Sequence, residues 1–126
     1  MDKVQPVEEQ EPGFVTLEEL CGEDVERDQE TRPLERYGGK LIRFRTRVPL
    51  QVIISAQKRY MSGKRKDSEG FMVALLKYLL LEPRVTTKAE VDMLRQADGK
   101  LMLDIINTAV GNVSDLQEDA EDEAGE

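Results

Sequence analysis

Histidine and tryptophan are missing from this chain of 126 residues, and it has one cysteine, Cys21. Without histidine there is no Ser-His-Asp or Cys-His catalytic group and no histidine-bearing zinc site. A single cysteine excludes paired-cysteine redox motifs and any disulfide within these residues, and it suits a reducing compartment. We therefore expect a protein that is not an enzyme and that uses no metal and no cofactor.

Long apolar runs are also missing. No run approaches the roughly 18 residues of a membrane span, and the first residues lack the apolar core of a secretory signal. Hydrophobic residues make up 39% of the chain and charged residues 35%, which is enough apolar material for one small core. These features predict a soluble, cytoplasmic, single-domain protein.

Acidic and basic residues are segregated along the chain, which the net charge of -8 conceals. Residues 1–35 carry 12 acids and three bases, residues 36–66 carry ten bases and no acid, and residues 111–126 carry seven acids and no base. A basic middle segment therefore lies between two acidic arms. Because the arms hold few large apolar residues, we expect residues 1–33 and 113–126 to be disordered, apart from a short helix near 16–21.

That short helix is predicted by Thr16-Leu17-Glu18-Glu19, a capping box that opens a turn carrying Leu17, Leu20 and Cys21. Two interpretations stay open for its apolar residues. Phe14, Leu17 and Leu20 pack on the domain as a satellite, which is favoured because apolar helical faces are usually buried. Alternatively they form a linear motif that folds only on a partner.

The folded domain is expected to span residues 34–112 and to begin with a β-hairpin. Gly38-Gly39 separates two strand-like runs, residues 34–37 and 40–47, and a two-glycine link between such runs is typical of a hairpin. Alternation on the second strand predicts a core face and a basic, solvated face. The core face holds Ile42, Phe44 and Thr46, and the other holds Leu41, Arg43, Arg45 and Arg47.

Four helices with short connections are expected to follow the hairpin. Their predicted limits, from caps and apolar spacing, are Pro49 to Gly63, Ser68 to Pro83, Thr87 to Ala97 and Asp98 to Gly111. The second is apolar nearly all round, so it should be the central helix, with Leu75 and Leu79 buried. The fold class is α+β, mostly α: a short β-hairpin and a bundle of about four helices, with disordered acidic N- and C-terminal arms.

The basic middle segment leaves three interpretations open. Its bases form a nucleic-acid surface, the acidic arms fold back and screen them, or an acidic protein partner displaces the arms. The overall negative charge and the scarcity of aromatic side chains for base stacking disfavour nucleic acid.

The order of features along the chain is informative as a whole. An acidic N-terminal segment precedes Gly38-Gly39-Lys40 and Leu41-Ile42-Arg43-Phe44-Arg45, and then come a helix at 49–61, an apolar helix at 71–81 and a Thr-capped helix leading into 100–110. Over about residues 34–111 this order resembles the small tail assembly chaperones of long-tailed, siphovirus-type bacteriophages. The resemblance implies a non-catalytic protein of the bacterial host cytoplasm. Such a protein binds the tape-measure protein and keeps it soluble during tail tube assembly.

If this resemblance holds, the partner is the tape-measure protein, with the tail tube protein and a second copy of the chain as further candidates. We expect the contact surface to join an apolar helical stripe to the basic segment. Its residues are Leu50, Ile54, Tyr60 and Met61, rimmed by Arg43, Arg45, Lys58 and Arg59. The alternative function is a small nucleic-acid-binding or regulatory protein that uses the basic middle segment.

Overall fold

The computed structural model describes residues 13–116. The α-helices are α1 Leu17–Cys21, α2 Leu50–Ala56, α3 Ser68–Leu79, α4 Lys88–Met93 and α5 Gly99–Val110, and the strands are β1 Gln29–Leu34, β2 Lys40–Arg45 and β3 Leu80–Glu82. The strands form an antiparallel sheet in the order β1-β2-β3. The predicted α+β, mostly α fold class is confirmed.

Helix α3 is the centre of the fold, as its composition predicts. Its Leu75 and Leu79 are both 0% exposed, and so is Phe71. The helix packs against β2 and β3 on one side and against α2 and α5 on others. The core around it is completed mainly by Ile42, Phe44, Ile105 and Ile106. The N-cap of α3 is Asp67 and not Ser68 as predicted, because the Asp67 carboxylate accepts a hydrogen bond of 2.9 Å from the Gly70 amide.

The hairpin exists, but its first strand is earlier than predicted. Strand β1 is Gln29–Leu34, and the predicted strand residues Glu35–Tyr37 form a 3₁₀ turn that leads into Gly38-Gly39. Pro33 within β1 argues against a central strand in the sequence, and it is tolerated here because β1 is an edge strand. The predicted domain boundary at Leu34 therefore falls on the last residue of β1, and the sheet begins five residues before it.

A third strand, β3, was not predicted at all. Leu80–Glu82 was assigned to the apolar helix, whereas in the structure α3 ends at Leu79 and the chain becomes extended. Phe44 of β2 pairs with Leu80 and Arg43 pairs with Glu82. A residue that precedes proline is biased toward extended geometry, so Pro83 favours the strand over another helical turn. Because both leucines before Glu82 are buried in either state, apolar spacing alone does not distinguish helix from strand here.

The ends of the described chain are more ordered than the sequence predicts. The Thr46 amide donates to the Asp28 carbonyl at 2.8 Å, which ties the start of β1 to the end of β2. At the other end Val113 is buried in the core, and Gln57 Nε2 donates to the Leu116 carbonyl at 3.0 Å. The expectation of disorder from residue 113 is thus wrong for 113–116. For residues 1–12 and 117–126 the same expectation lies outside the described residues.

Helix α2 begins at Leu50 after Pro49 and continues as a π-helical turn, Gln57–Met61, so the predicted helix over 49–61 is found. The Tyr60 ring of this turn lies directly against Gly70 of α3. A methyl group on Gly70 would lie 2.6 Å from Tyr60 Cδ1 and 2.5 Å from Asp67 Oδ2. The two helices therefore approach this closely only because residue 70 has no side chain.

We expect Gly70→Ala to lower the free energy of unfolding by about 1 to 3 kcal/mol through overpacking. The sign of this change in the free energy of unfolding is informative. Without the close contact, alanine would stabilise the helix relative to glycine by about 0.5 to 1 kcal/mol. Gly99→Ala in α5 is the matched control, since a methyl group there meets nothing within 4 Å. Urea unfolding of both variants would measure the difference, and a Gly70→Ala variant at least as stable as the wild type would contradict the close contact with Tyr60.

Candidate partner-binding groove

An open groove of about 650 Å³ lies between α2 with its π-helical turn, α3 and α4. Its floor is made of aliphatic and small side chains, together with the half-buried ring of Tyr60. The floor residues are Val52, Ala56, Tyr60, Gly70, Val73, Ala74 and Val91. Of the small residues, Ala56 belongs to α2 and Gly70 and Ala74 belong to α3, and Ala74 is the one that is not covered by Tyr60 or buried in the core. We call this surface the α2–α4 groove.

The rim of the α2–α4 groove is basic. Arg59, Lys77, Lys88 and Arg95 border it, against one carboxylate, Asp92. Arg95 Nη1 lies 2.9 Å from Glu69 Oε1, and this hydrogen bond raises the pKa of the Arg95 guanidinium above its usual value. Over residues 13–116, no ion pair involves the other three rim cations. The rim therefore offers positive charge on a chain whose net charge is -8.

Glu90 lies beside the rim, and its carboxylate is engaged with the backbone and not with a rim cation. Its carboxylate accepts hydrogen bonds from the Thr86 amide at 2.9 Å and the Thr87 amide at 3.1 Å, and Thr87 Oγ1 accepts one from the Glu90 amide. The backbone hydrogen bonds from Thr86 and Thr87 lower the pKa of Glu90. This is the predicted capping box at Thr87, and it fixes the start of α4 beside Lys88.

The residues that the sequence assigned to the apolar stripe do not stay together. Tyr60 lines the α2–α4 groove, while Leu50 and Ile54 are exposed on α2. Met61 is 4% exposed and belongs to the core, so its assignment to a partner surface is wrong. The helical spacing placed it on the same face as Tyr60, but the π-helical turn changes that spacing at the end of the helix.

The predicted basic rim is divided in the same way. Arg59 lines the groove and Lys58 is exposed nearby on the same turn. Arg43 is exposed on the sheet, where its Nε donates to Thr31 Oγ1 at 3.1 Å. Arg45 is committed elsewhere: it donates to Glu23 Oε2 at 3.1 Å and to the Tyr78 carbonyl at 2.7 Å. Its guanidinium also lies 4.5 Å from the centre of the Tyr78 ring. Arg45 is therefore a structural residue and not a free rim charge.

The ion pair between Glu23 and Arg45 helps to choose among the three interpretations of the basic segment. It joins the first acidic arm to the basic strand, as expected if the acidic arms fold back and screen the bases. Arg47 adds to it by donating to the Leu20 carbonyl at 2.8 Å. Lys58, Lys64 and Arg65 remain exposed, and over residues 13–116 no ion pair involves them. Within the part of the chain that the structure describes, screening thus reaches the strand and does not reach the basic turn around residue 64.

Helix α1 forms as predicted, but it does not pack on the domain as the favoured interpretation expects. Its capping box is confirmed, because the Thr16 amide donates to Glu19 Oε1 at 2.8 Å and the Glu19 amide donates to Thr16 Oγ1 at 3.1 Å. Its apolar residues, however, do not pack on the domain: Phe14 is 99% exposed, Leu17 74% and Leu20 59%. The helix is held through the polar contacts of its C-terminal end while its apolar side faces solvent. The satellite interpretation is therefore wrong.

Sequence reasoning missed most of the groove. Lys77, Lys88, Arg95 and the floor valines come from three helices, and only their tertiary arrangement brings them together. One signal was available, because Lys77 is the single charged residue in the apolar run from Phe71 to Leu81. A charge that interrupts such a run marks the side of the helix that is not covered.

Comparison with protein families, curated proteins and solved structures gives no match to this chain. Within residues 13–116, no group of three or more acidic or cysteine side chains is placed to hold a metal ion. Over the same residues no helix is both long and apolar enough to cross a membrane.

Proposed function

We propose that this protein is a non-catalytic tail assembly chaperone of a siphovirus-type phage, which acts in the host cytoplasm. Its client is the tape-measure protein, which it keeps soluble while the tail tube assembles. The observation that carries the proposal is the α2–α4 groove, an open trough with aliphatic side chains on its floor, the polar side chains of Gln51, Ser55 and Thr86 along it, and a cationic rim. The identity of the client comes from the order of features along the chain, which resembles that of these chaperones.

The groove suits an amphipathic helical segment. Aliphatic side chains of a client helix would replace water over the half-buried Val52 and Val91 and the Tyr60 ring, and this burial would supply the apolar part of the binding free energy. Ala74 leaves room for the client backbone. The rim cations then favour client helices that carry acidic residues beside the apolar stripe, because complementary charge speeds encounter and sets orientation.

A chaperone of this kind must present apolar surface and still remain dissolved. The groove is open, yet charged side chains border it and the whole chain carries a net charge of -8. Strong net charge of one sign keeps molecules apart and limits non-specific association. The combination of a local basic rim with overall acidity fits a holdase that releases its client later.

Groove charge reversal should abolish much of this activity. We expect Arg59→Glu/Lys77→Glu/Lys88→Glu to reduce the soluble fraction of a co-expressed tape-measure protein several-fold. The matched control is Lys40→Glu/Arg84→Glu/Lys100→Glu, which changes the net charge equally at exposed bases outside the groove. The measurement is the amount of tape-measure protein in the supernatant of lysates with wild type, variant or control.

Three results would separate the possibilities. Equal client solubility with variant and control would overturn the groove as the client site, and equal solubility with and without this protein would overturn the chaperone function. The third concerns nucleic acid. If the groove variant leaves client solubility unchanged but loses affinity for duplex or single-stranded DNA, with affinity falling steeply with salt, the nucleic-acid alternative replaces the proposal. Client binding through apolar burial should instead survive moderate salt.

A further inference from the structure

Helix α1 presents an apolar surface that nothing else in residues 13–116 covers. Phe14, Leu17 and Leu20 are largely exposed, and Val15 beside them is exposed as well. Leu17, Leu20 and Cys21 share one side of the helix by their spacing, and Glu18 borders that side. Large apolar side chains clustered in this way on a soluble protein usually mark a contact site.

The same segment is already folded as a helix and fixed to the domain. The reciprocal hydrogen bonds of Thr16 and Glu19 fix its first turn. Its end is tied to the last residue of β2 by the Glu23–Arg45 ion pair and to the segment after β2 by the hydrogen bond from Arg47 to the Leu20 carbonyl. Because these contacts use polar groups, they hold α1 in place without consuming its apolar side. A helix ordered in advance loses less conformational entropy when it binds.

The α2–α4 groove is complementary to this segment in charge and in the apolar surface that it offers. Residues 13–28 carry six carboxylates and a single base, Arg27, and among the described contacts Glu18, Asp24 and Glu26 form no ion pair. The groove rim carries four cations and a single carboxylate, and Arg59, Lys77 and Lys88 are the rim cations without an ion pair over residues 13–116. The apolar side of α1 is convex and narrow, and the groove floor is concave and aliphatic. One molecule thus carries both an acidic amphipathic helix and a basic apolar groove.

We propose that α1 of one copy of this protein docks in the α2–α4 groove of a second copy. Within one chain, α1 is anchored at Arg45 and Arg47 with its apolar residues exposed, so it does not serve its own groove in this arrangement. The contact is head-to-tail, because the two surfaces that meet are different. Such a contact continues from copy to copy, or closes into a ring if the rotation allows. The interface is small and therefore weak and concentration-dependent.

This docking also predicts competition between α1 and the client, and that prediction rests on the proposed function. If the client helix and α1 use the same groove, the client displaces the neighbouring copy as it binds. Self-association would then cover the apolar floor of free molecules until a client arrives. The self-association itself does not depend on the identity of the client.

A nitroxide just beyond α1 allows a direct test with the full chain, since Cys21 itself lies on the docking side and has to be replaced. One preparation is Cys21→Ser/Val25→Cys with a nitroxide on the introduced thiol and the natural isotopes, because Val25 is exposed, and the other is ¹⁵N-labelled Cys21→Ser. In the mixture we expect the amide signals of Val52, Ala74 and Val91 to lose intensity through paramagnetic relaxation, increasingly with protein concentration. No loss of intensity at any concentration, or a loss confined to residues outside the groove, would overturn the proposal.

Two variants test the contact from each side. Leu17→Ser/Leu20→Ser in the spin-labelled chain should abolish the broadening, whereas Leu41→Ser, an exposed leucine on β2, should leave it unchanged. Lys77→Glu/Lys88→Glu in the ¹⁵N-labelled chain should also remove it, with unchanged thermal unfolding as the control for folding. Equal broadening with Leu17→Ser/Leu20→Ser would show that α1 is not the ligand.

The failure of this proposal and that of the proposed function are distinguishable. Loss of client solubilisation without loss of broadening would reject the chaperone function alone. Client solubilisation without any broadening in the wild type would reject the self-association alone. A tape-measure helix could also be added to the mixture. If it binds and the broadening stays intact, the client and α1 do not share the groove.

Discussion

Replacement of Leu75 or Leu79 by alanine is expected to lower the free energy of unfolding by about 2 to 5 kcal/mol. Both side chains are 0% exposed and lie at the centre of α3, between the sheet and the neighbouring helices. Shortening either one removes apolar contacts and leaves a cavity that rigid neighbours fill only in part. For a domain of this size the total stability is about 5 to 15 kcal/mol, so either change removes a large share of it.

Leu50→Ala is the matched control, because it makes the same chemical change in a helix at a residue that is 71% exposed. It should change the free energy of unfolding by no more than about 0.5 kcal/mol. Urea unfolding followed by circular dichroism at 222 nm would measure all three variants. A cost below about 0.5 kcal/mol for Leu75→Ala or Leu79→Ala would mean that the core is centred elsewhere.

The central helix was predictable because its signal is carried by the residues of the helix itself. Continuous apolar composition over Phe71 to Leu79 requires burial on several sides, whatever the neighbours are. The caps at Thr16, Thr87 and Asp98 were predictable for a similar reason. Each is a hydrogen bond between a side chain and backbone amides two or three residues away, so the sequence contains all of the interacting groups.

The sheet was harder to predict because strand pairing depends on residues far apart in the chain. Strand β3 exists through the pairing of Leu80 with Phe44, 36 residues earlier in the sequence. Strand β1 lies in an acidic stretch whose composition suggests disorder, and it is fixed by contacts outside itself. The Arg32 guanidinium contacts Asp104 of α5 and lies 5.2 Å from the centre of the Phe44 ring. Neither contact is visible in the local sequence.

The binding site could be predicted only in part for the same reason. Arg59 and Tyr60 lie in the segment that was selected for its mixture of basic and apolar residues, and both line the groove. Met61 follows them directly and is buried, because the π-helical turn changes which side of the helix faces the core. Lys88 and Val91 come from α4, and the sequence does not indicate that α4 lies across from α2.

Strand β1 leads to the prediction with the largest effect. A chain of residues 34–112, the domain limits expected from composition, should not unfold cooperatively, whereas residues 22–116 should. The shorter chain loses five of the six residues of β1, and with them nearly the whole register against β2 from Gln29↔Arg45 to Pro33↔Leu41. Strand β2 would then pair almost only with the three residues of β3, and it would lose nearly all the cross-strand side-chain pairs that β1 supplies.

The shorter chain also loses contacts beyond the sheet. The Arg32 link between β1 and Asp104 of α5 disappears, and Val113 is removed from the core, which costs about 1.5 to 3 kcal/mol for a buried valine. The chain of residues 22–116 keeps all of these groups, together with the Glu23–Arg45 ion pair, and lacks residues 1–21, which include α1, and residues 117–126. Differential scanning calorimetry should therefore show a single cooperative transition for residues 22–116 and none for residues 34–112. Intermediate chains of residues 22–112 and 34–116 would assign the loss to Val113 and Leu116 or to β1. A cooperative transition in residues 34–112 would mean that the helices around α3 are stable without the edge strand, and that β1 only covers a core that is already complete.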